Sequence, residues 1–184
     1  MPSHQLRTIV ITAVLVGLAV ALGFGLAHVP NVELITLVVF VSGHLLGAWI
    51  GMMVGVVSMG LFTVLNPMGM PVILLALSQV TAMALIGLFG GGTRTWVRHP
   101  PSWARLALCG LMATVFYDLV TNLVMALSLG MLGQLAQVLI AGLTFSVLHM
   151  VSNTVIFAAA GSGLIAFRKY FKRMESVDDT FLAS

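Results

Sequence analysis

Charge is the scarcest commodity in this chain. Lysine and arginine number eight and aspartate and glutamate five, 7% of 184 residues, where a soluble domain carries about a quarter. With 60% hydrophobic residues and a mean hydropathy of +1.12, a soluble domain is excluded and the surface must face lipid. A single cysteine, Cys109, excludes an internal disulfide and any multi-cysteine zinc site; in its apolar run it reads as a small buried thiol. The sequence has no G-x-x-x-x-G-K-[ST], and Gly90-Gly91-Gly92-Thr93 lacks the lysine that would engage a nucleotide phosphate, so the chain is not expected to hydrolyse ATP by itself. It also has no H-E-x-x-H and no G-x-S-x-G, which leaves an enzyme reading only Asp118 and His149 to stand on. The expectation is a protein without catalytic activity, resident metal or cofactor.

The few charges are informative through their positions. All eight basic residues fall at Arg7, between Arg94 and Arg105, and between Arg168 and Arg173, and the net charge is +3. Basic residues near the ends of membrane spans stay on the cytoplasmic side. They therefore report topology and contact with anionic headgroups rather than nucleic acid. Both termini and the middle loop are expected inside, with an even number of spans in each half.

A helix needs about 20 apolar residues to cross the hydrocarbon. Thr8 to Ala27 supplies the first span; it exceeds the apolar core of a signal peptide and more spans follow, so it is read as an uncleaved helix. His28, Pro30, Asn31 and Glu33 make a short outer loop. Leu34 to Leu65 is an uncharged run of 32 residues, too long for one crossing and short for two. Charge parity makes it a tight helical hairpin turning near Gly47 to Gly51. Asn66, Gly69 and Pro71 mark the next outer loop. Span four runs from Val72 to Phe89 and is ended by Gly90, Gly91 and Gly92. The inner loop covers Thr93 to Trp103, span five Ala104 to Leu129, and span six Leu135 to Phe167. The expected fold is an all-α membrane protein: one domain over 1–184, six transmembrane helices, both termini cytoplasmic, and a short cytoplasmic tail over 168–184. Its place is the inner or plasma membrane of a bacterial or archaeal type of cell.

Small residues recur every fourth position through the hairpin, at Gly43, Gly47, Gly51 and Gly55, with Gly60 five further on, a spacing that lets helix backbones approach closely in lipid. The first span carries two such rows. Ala13, Gly17, Ala21 and Gly25 form one, and Ala19, Gly23 and Ala27 the other, which is more than a single neighbour needs and leaves one row for a partner subunit. The methionines around Met52, Met53, Met68 and Met70 read as lipid-facing or gap-filling bulk, and His28 and His44 as structural.

Polar residues inside spans are expensive and face a cavity or one another. Asp118 and Asn122 share a face of span five, with Thr114 and Thr121 near, and His149 and Asn153 repeat the arrangement on span six. Counted inward from the loop between these spans, Asp118 and His149 reach similar depths, about 18 Å at 1.5 Å per residue, so they are placed to meet. Gln79, with Ser78 and Thr81, supplies a third polar helix, and Asn31, Glu33 and Asn66 sit in the outer loops above. Convergent amides and carboxylates in the outer half of a bundle suit a small-molecule site. The same residues also suit a buried structural pair, Asp118 with His149, and asparagines acting as interhelical glue.

Six spans in this length, the run PNVELITLVVFVSGHLLGAWIGMMVG, then NPMG, FYDLVTNL on span five and LHMVSNTVIF on span six together resemble the substrate-binding S component of energy-coupling factor (ECF) transporters. The resemblance covers nearly the whole chain. It implies a subunit of an ABC-type importer that captures a vitamin or other micronutrient precursor from outside. It further implies partners: a coupling transmembrane subunit and two cytoplasmic ATPases that drive uptake. The family docks through an Ala-x-x-x-Ala pattern on its first helix, and the matching positions here are Ala13, Gly17 and Ala21. By the same resemblance Asn31, Glu33, Gln79, Asp118, Asn122, His149 and Asn153 are the candidates for substrate contact. Two other classes stay open: a stand-alone proton-coupled carrier using Asp118 and His149 as its relay, and a structural scaffold subunit without a ligand. Inverted repeats of the kind common in secondary carriers are not evident between the halves, which weighs against the carrier.

Overall fold

The computed structural model describes residues 2–66, 68–97 and 102–166, and these form six α-helices and two short 3₁₀ turns. The helices are α1 (Pro2–Leu26), α2 (Ile35–Leu46), α3 (Ala48–Val64), α4 (Ile73–Gly92), α5 (Trp103–Ser128) and α6 (Leu135–Ala166); the turns are Thr93–Thr95 and Leu132–Gln134. Helices α1, α4, α5 and α6 are long and apolar enough to cross a membrane. The expected tail over 168–184 lies outside the described residues, as do Phe167 and residues 98–101 of the middle loop.

The apolar run after residue 34 does break into two helices, and the break falls at Gly47. Its φ of 122° is a backbone that a side chain would strain. The two pieces, 12 and 17 residues long, reach only about 18 and 26 Å at 1.5 Å per residue, less than the hydrocarbon thickness of about 30 Å. Helix α2 tolerates this because it is enclosed by the other helices. Every residue from Ile35 to His44 is buried, as befits a helix that is apolar all round, and α1, α3, α4, α5 and α6 all pack on it. Its few polar side chains are satisfied: the Ser42 hydroxyl donates to the Val38 carbonyl at 2.6 Å, and Thr36 reaches the Met83 sulfur on α4.

Helices α2, α3 and α4 meet backbone to backbone. A Cβ added at Gly51 would stand 2.6 Å from the Gly87 carbonyl oxygen and would also run into the Gly43 backbone, and one at Gly43 would collide with Gly87. The Gly90 to Gly92 triplet, expected to end the helix, instead continues α4 to Gly92. Each glycine weakens a helix by roughly 1 kcal/mol relative to alanine. That cost is offset because Gly90 and Gly91 bring α4 against the Phe40 carbonyl and Ala48, where a Cβ has no room. The outward faces are the reverse of polar: Ile9, Val14, Leu77, Ile140, Val151 and Val155 are all exposed, a surface that water does not tolerate over such an area.

The two ends of the bundle differ in chemistry. At the end where α2 turns into α3, the Arg94 Nε donates to the His44 carbonyl at 2.7 Å and an Arg105 Nη1 donates to the Trp96 carbonyl at 2.6 Å. His44 is buried there, its Nδ1 3.2 Å from the Thr93 hydroxyl. That hydroxyl spends its hydrogen on the Gly90 carbonyl, so the ring is the donor. Arg7 belongs to the same end, since Gly23, sixteen residues further along α1, abuts Ile35 at the start of α2. The opposite end carries amides, hydroxyls and carboxylates.

Candidate functional site

The connection from α1 to α2 is tied down at two points. Asn31 takes a φ of 57°, a left-handed conformation that asparagine adopts more readily than most residues, and its carbonyl accepts from the Ser152 hydroxyl at 2.6 Å. Glu33 accepts the Thr36 N–H on Oε2 at 2.9 Å, a carboxylate at the start of α2 where the unpaired N–H groups and the helix dipole favour one. The expected position of these residues, in a loop above the site, is corrected by the structure. Glu33 bonds Asn153, eighteen residues and about 27 Å along α6 from its first residue, Leu135. The connection therefore lies beside the middle of α6, because the short α2 begins low in the bundle.

From there a continuous polar chain crosses to α5. The Asn153 amide nitrogen donates to Glu33 Oε1 and to the Thr114 hydroxyl, each at 3.0 Å, and lies 3.1 Å from His149 Nε2. Thr114 gives its own hydrogen to the Gly110 carbonyl at 2.9 Å and so is free to accept. His149 Nδ1 stands 2.8 Å from Asp118 Oδ1; a carboxylate only accepts, so Nδ1 carries the hydrogen. With the ring neutral, Nε2 is an acceptor that competes with Glu33 Oε1 and the Thr114 hydroxyl for the two hydrogens of the Asn153 amide. With the ring protonated, Nε2–H has Glu33 Oε1 at 3.7 Å. Asp118 and His149, placed at matching depth by residue counting, do meet.

Of the five acidic residues in the chain, only Glu33 and Asp118 precede Glu175, and both flank the same histidine. Each side chain is mostly buried. Two buried atoms of the cluster, Asp118 Oδ2 and Asn153 Oδ1, have no hydrogen-bond partner.

The cluster opens into a cavity of about 310 Å³ bordered by Asn31, Tyr117, Asp118, Asn122, Phe145 and His149 among others. Asn122 uses its amide nitrogen on the Asp118 backbone carbonyl at 2.8 Å, and the Tyr117 ring stands edge-on to His149, centroids 6.1 Å apart. Asn31, Asp118, Asn122 and His149 thus share one cavity, with Glu33 and Asn153 in the network that holds its floor. Gln79 does not join them. It lines a second cavity of about 300 Å³, with Thr63, Asn66, Met59, Met68 and Met70, and its side chain lies beside the Tyr117 hydroxyl, so the pair stands between the two spaces. Ser78 and Thr81, expected beside it, turn their hydroxyls back onto the carbonyls of Leu75 and Leu77. A third space, about 380 Å³ between α4 and α5, is lined wholly by apolar side chains such as Leu85, Phe89, Met112 and Phe116.

Three contributors escaped the sequence reading. Phe145 precedes His149 by four residues and Ser152 follows it by three, so helical spacing alone assigns both to its face. Tyr117 carried no such signal, being adjacent to Asp118 rather than one turn away.

On α1 the two rows of small residues have separate fates. Ala19 is fully buried, and a Cβ at Gly23 would stand 2.6 Å from an Ile35 methyl and 3.0 Å from the Phe62 ring. Ala13, Gly17, Ala21 and Gly25 are exposed, and nothing lies within 4 Å of the Cβ positions at Gly17 and Gly25. Compared with protein-family models, curated proteins and solved structures, the chain matches none of them.

Proposed function

We propose that the chain crosses the membrane six times with both termini cytoplasmic. It acts as a membrane-embedded substrate-binding subunit of an ECF-type importer, the kind of protein its sequence resembles, capturing a small vitamin-like molecule from outside for ATP-driven uptake. The observation that carries this reading is the cavity lined by Asn31, Asp118, Asn122 and His149, at the end of the bundle opposite the described arginines. By the charge rule that end faces outward. The unpartnered small row at Ala13, Gly17 and Ala21 gives support of a different kind, since a face made for close backbone approach is left open on a helix that already packs through its other row. The coupling subunit occupies that row, and two cytoplasmic ATPases supply the energy the chain cannot.

The test is co-expression with an ECF coupling module. The full chain should copurify with the module and confer ATP-dependent uptake, and Gly17→Leu or Ala21→Leu should abolish both. Uptake into vesicles containing this chain alone would replace this reading with a proton-coupled carrier. Assembly unaffected by both substitutions would remove the docking face. Cysteines placed at Asn66 and Gln134 should react with an impermeant reagent in intact cells, and one at Arg105 should not; labelling at Arg105 would overturn the six-span topology.

A further inference from the structure

The Asp118 cavity has acceptors and negative charge to spare. Asp118 Oδ1 is occupied by His149, but Oδ2 is buried and receives nothing. Glu33 is engaged on both oxygens, by Thr36 and by Asn153. The cluster therefore holds two carboxylates against one imidazole, a net charge of −1 with His149 protonated and −2 with it neutral. Arg94 and Arg105 are bound at the other end of the bundle and do not compensate it. A buried charge without a partner is costly, and here the uncompensated oxygen belongs to a residue that lines a cavity. Beside it stand two aromatic rings, Tyr117 and Phe145, whose faces attract cations and whose bodies suit a flat apolar group. Among the described residues no three His, Cys, Asp or Glu side chains are grouped to hold a metal ion, and the two rings suit an organic cation. The cavity, about 310 Å³, sits at the lower end of the range for small-molecule pockets.

We propose that this cavity takes a small organic cation, a protonated amine or N-protonated heterocycle, whose charged head sits beside the Asp118 carboxylate and whose ring or chain lies against Tyr117 and Phe145. The inference deepens the substrate-binding reading above and rests on it for the route by which the ligand is delivered.

The experiment uses the full chain in detergent micelles, with melting followed by tryptophan fluorescence in the presence of benzylammonium, benzyl alcohol or benzoate at matched ionic strength. The three probes share one ring and differ in the charge of the head. Benzylammonium should raise the melting temperature in a saturable way, and the neutral and anionic probes should not. Asp118→Asn keeps an oxygen to accept from His149 but removes the negative charge beside the cavity. The apparent dissociation constant for benzylammonium should rise about tenfold or more. Phe145→Ala, at a position 60% exposed and therefore tolerant of truncation, should weaken the same probe several-fold. It carries the test if Asp118→Asn does not fold. Stabilisation by benzyl alcohol or benzoate equal to that by the ammonium, an unchanged constant in the variant that folds, or no response to benzylammonium up to the concentration the micelles tolerate would each overturn the proposal. Cation-selective binding without assembly onto a coupling module leaves this inference standing and removes the importer reading. Assembly with uptake of a neutral or anionic substrate does the reverse.

Discussion

The two ends of this bundle are held together by opposite means. Around Gly43, Gly51 and Gly87, α2, α3 and α4 touch through their backbones, and no side chain intervenes. Around Asp118, His149 and Asn153, α5, α6 and the α1–α2 connection are joined through side-chain hydrogen bonds, with a cavity beside them and two polar atoms left over. Close backbone packing is insensitive to ligand and leaves nothing to bind. A polar network in a low-dielectric interior is expensive to build and changes with whatever enters it. One end is therefore a frame and the other the candidate site.

The sharpest way to break that contrast is to put a side chain into the frame. Gly51→Val or Gly87→Val forces a branched group against backbone that cannot retreat, and should cost about 3 kcal/mol or more, enough to prevent purification of a folded protein. A melting curve close to that of the parent would mean that the three helices are less closely joined than their geometry requires.

A smaller effect is expected within the network, and there the two asparagines part company. Asn153→Ala strips a donor from Glu33 Oε1 and from the Thr114 hydroxyl and should lower stability by about 1 to 3 kcal/mol. Asn122→Ala removes only a bond to the carbonyl of its own helix while changing the cavity wall. Its melting temperature should stay near that of the parent while ligand affinity falls. Equal losses of stability in both would mean that the cavity asparagine is glue as well.

Thr63→Val sharpens the comparison from another side. The Thr63 hydroxyl is buried without a partner, next to the second cavity, so removing its polarity should leave stability unchanged or raise it by about 1 kcal/mol. The same exchange at Thr114, whose hydroxyl both donates and accepts, should lower it. Smallest of all is the expected response of the isolated chain to Ala21→Leu, within about 0.5 kcal/mol because the position is exposed. Gly23→Leu, on the inner row of the same helix, should destabilise measurably against Ile35 and Phe62.

Much of the helix order is legible in the sequence, and the reasons are local. Helix spans follow from apolar length, so the starts expected for α5 and α6 lie within one residue of those observed, and the need for a turn inside the run after Leu34 follows from its length and the charges around it. What could not be read locally was how helices lie side by side. The glycines at 90 to 92 end a helix by propensity, but the carbonyl of Phe40 and the backbone of Ala48, distant in sequence, make close approach worth more than that propensity. Gln79 looked like a member of the Asp118 site because it is polar and lies within an apolar helix; its rotation about α4 sends it to Asn66 and to the far side of Tyr117. The meeting of Asp118 with His149 was legible because two antiparallel neighbours joined by a short loop place equal residue counts at equal depth.

The brevity of α2 has a consequence for how the site is reached. Its twelve residues are walled by an α5 of 26 and an α6 of 32, so the peptide leading into it must descend along those taller neighbours before the helix can begin. Asn31 and Glu33 are carried down with it and fastened to α6 at Ser152 and Asn153. The cavity between α5 and α6 has Asn31 of that sunken connection in its lining, so its depth follows from the difference in helix lengths. Adding a turn to the start of α2 would raise the floor, and removing one would deepen the well.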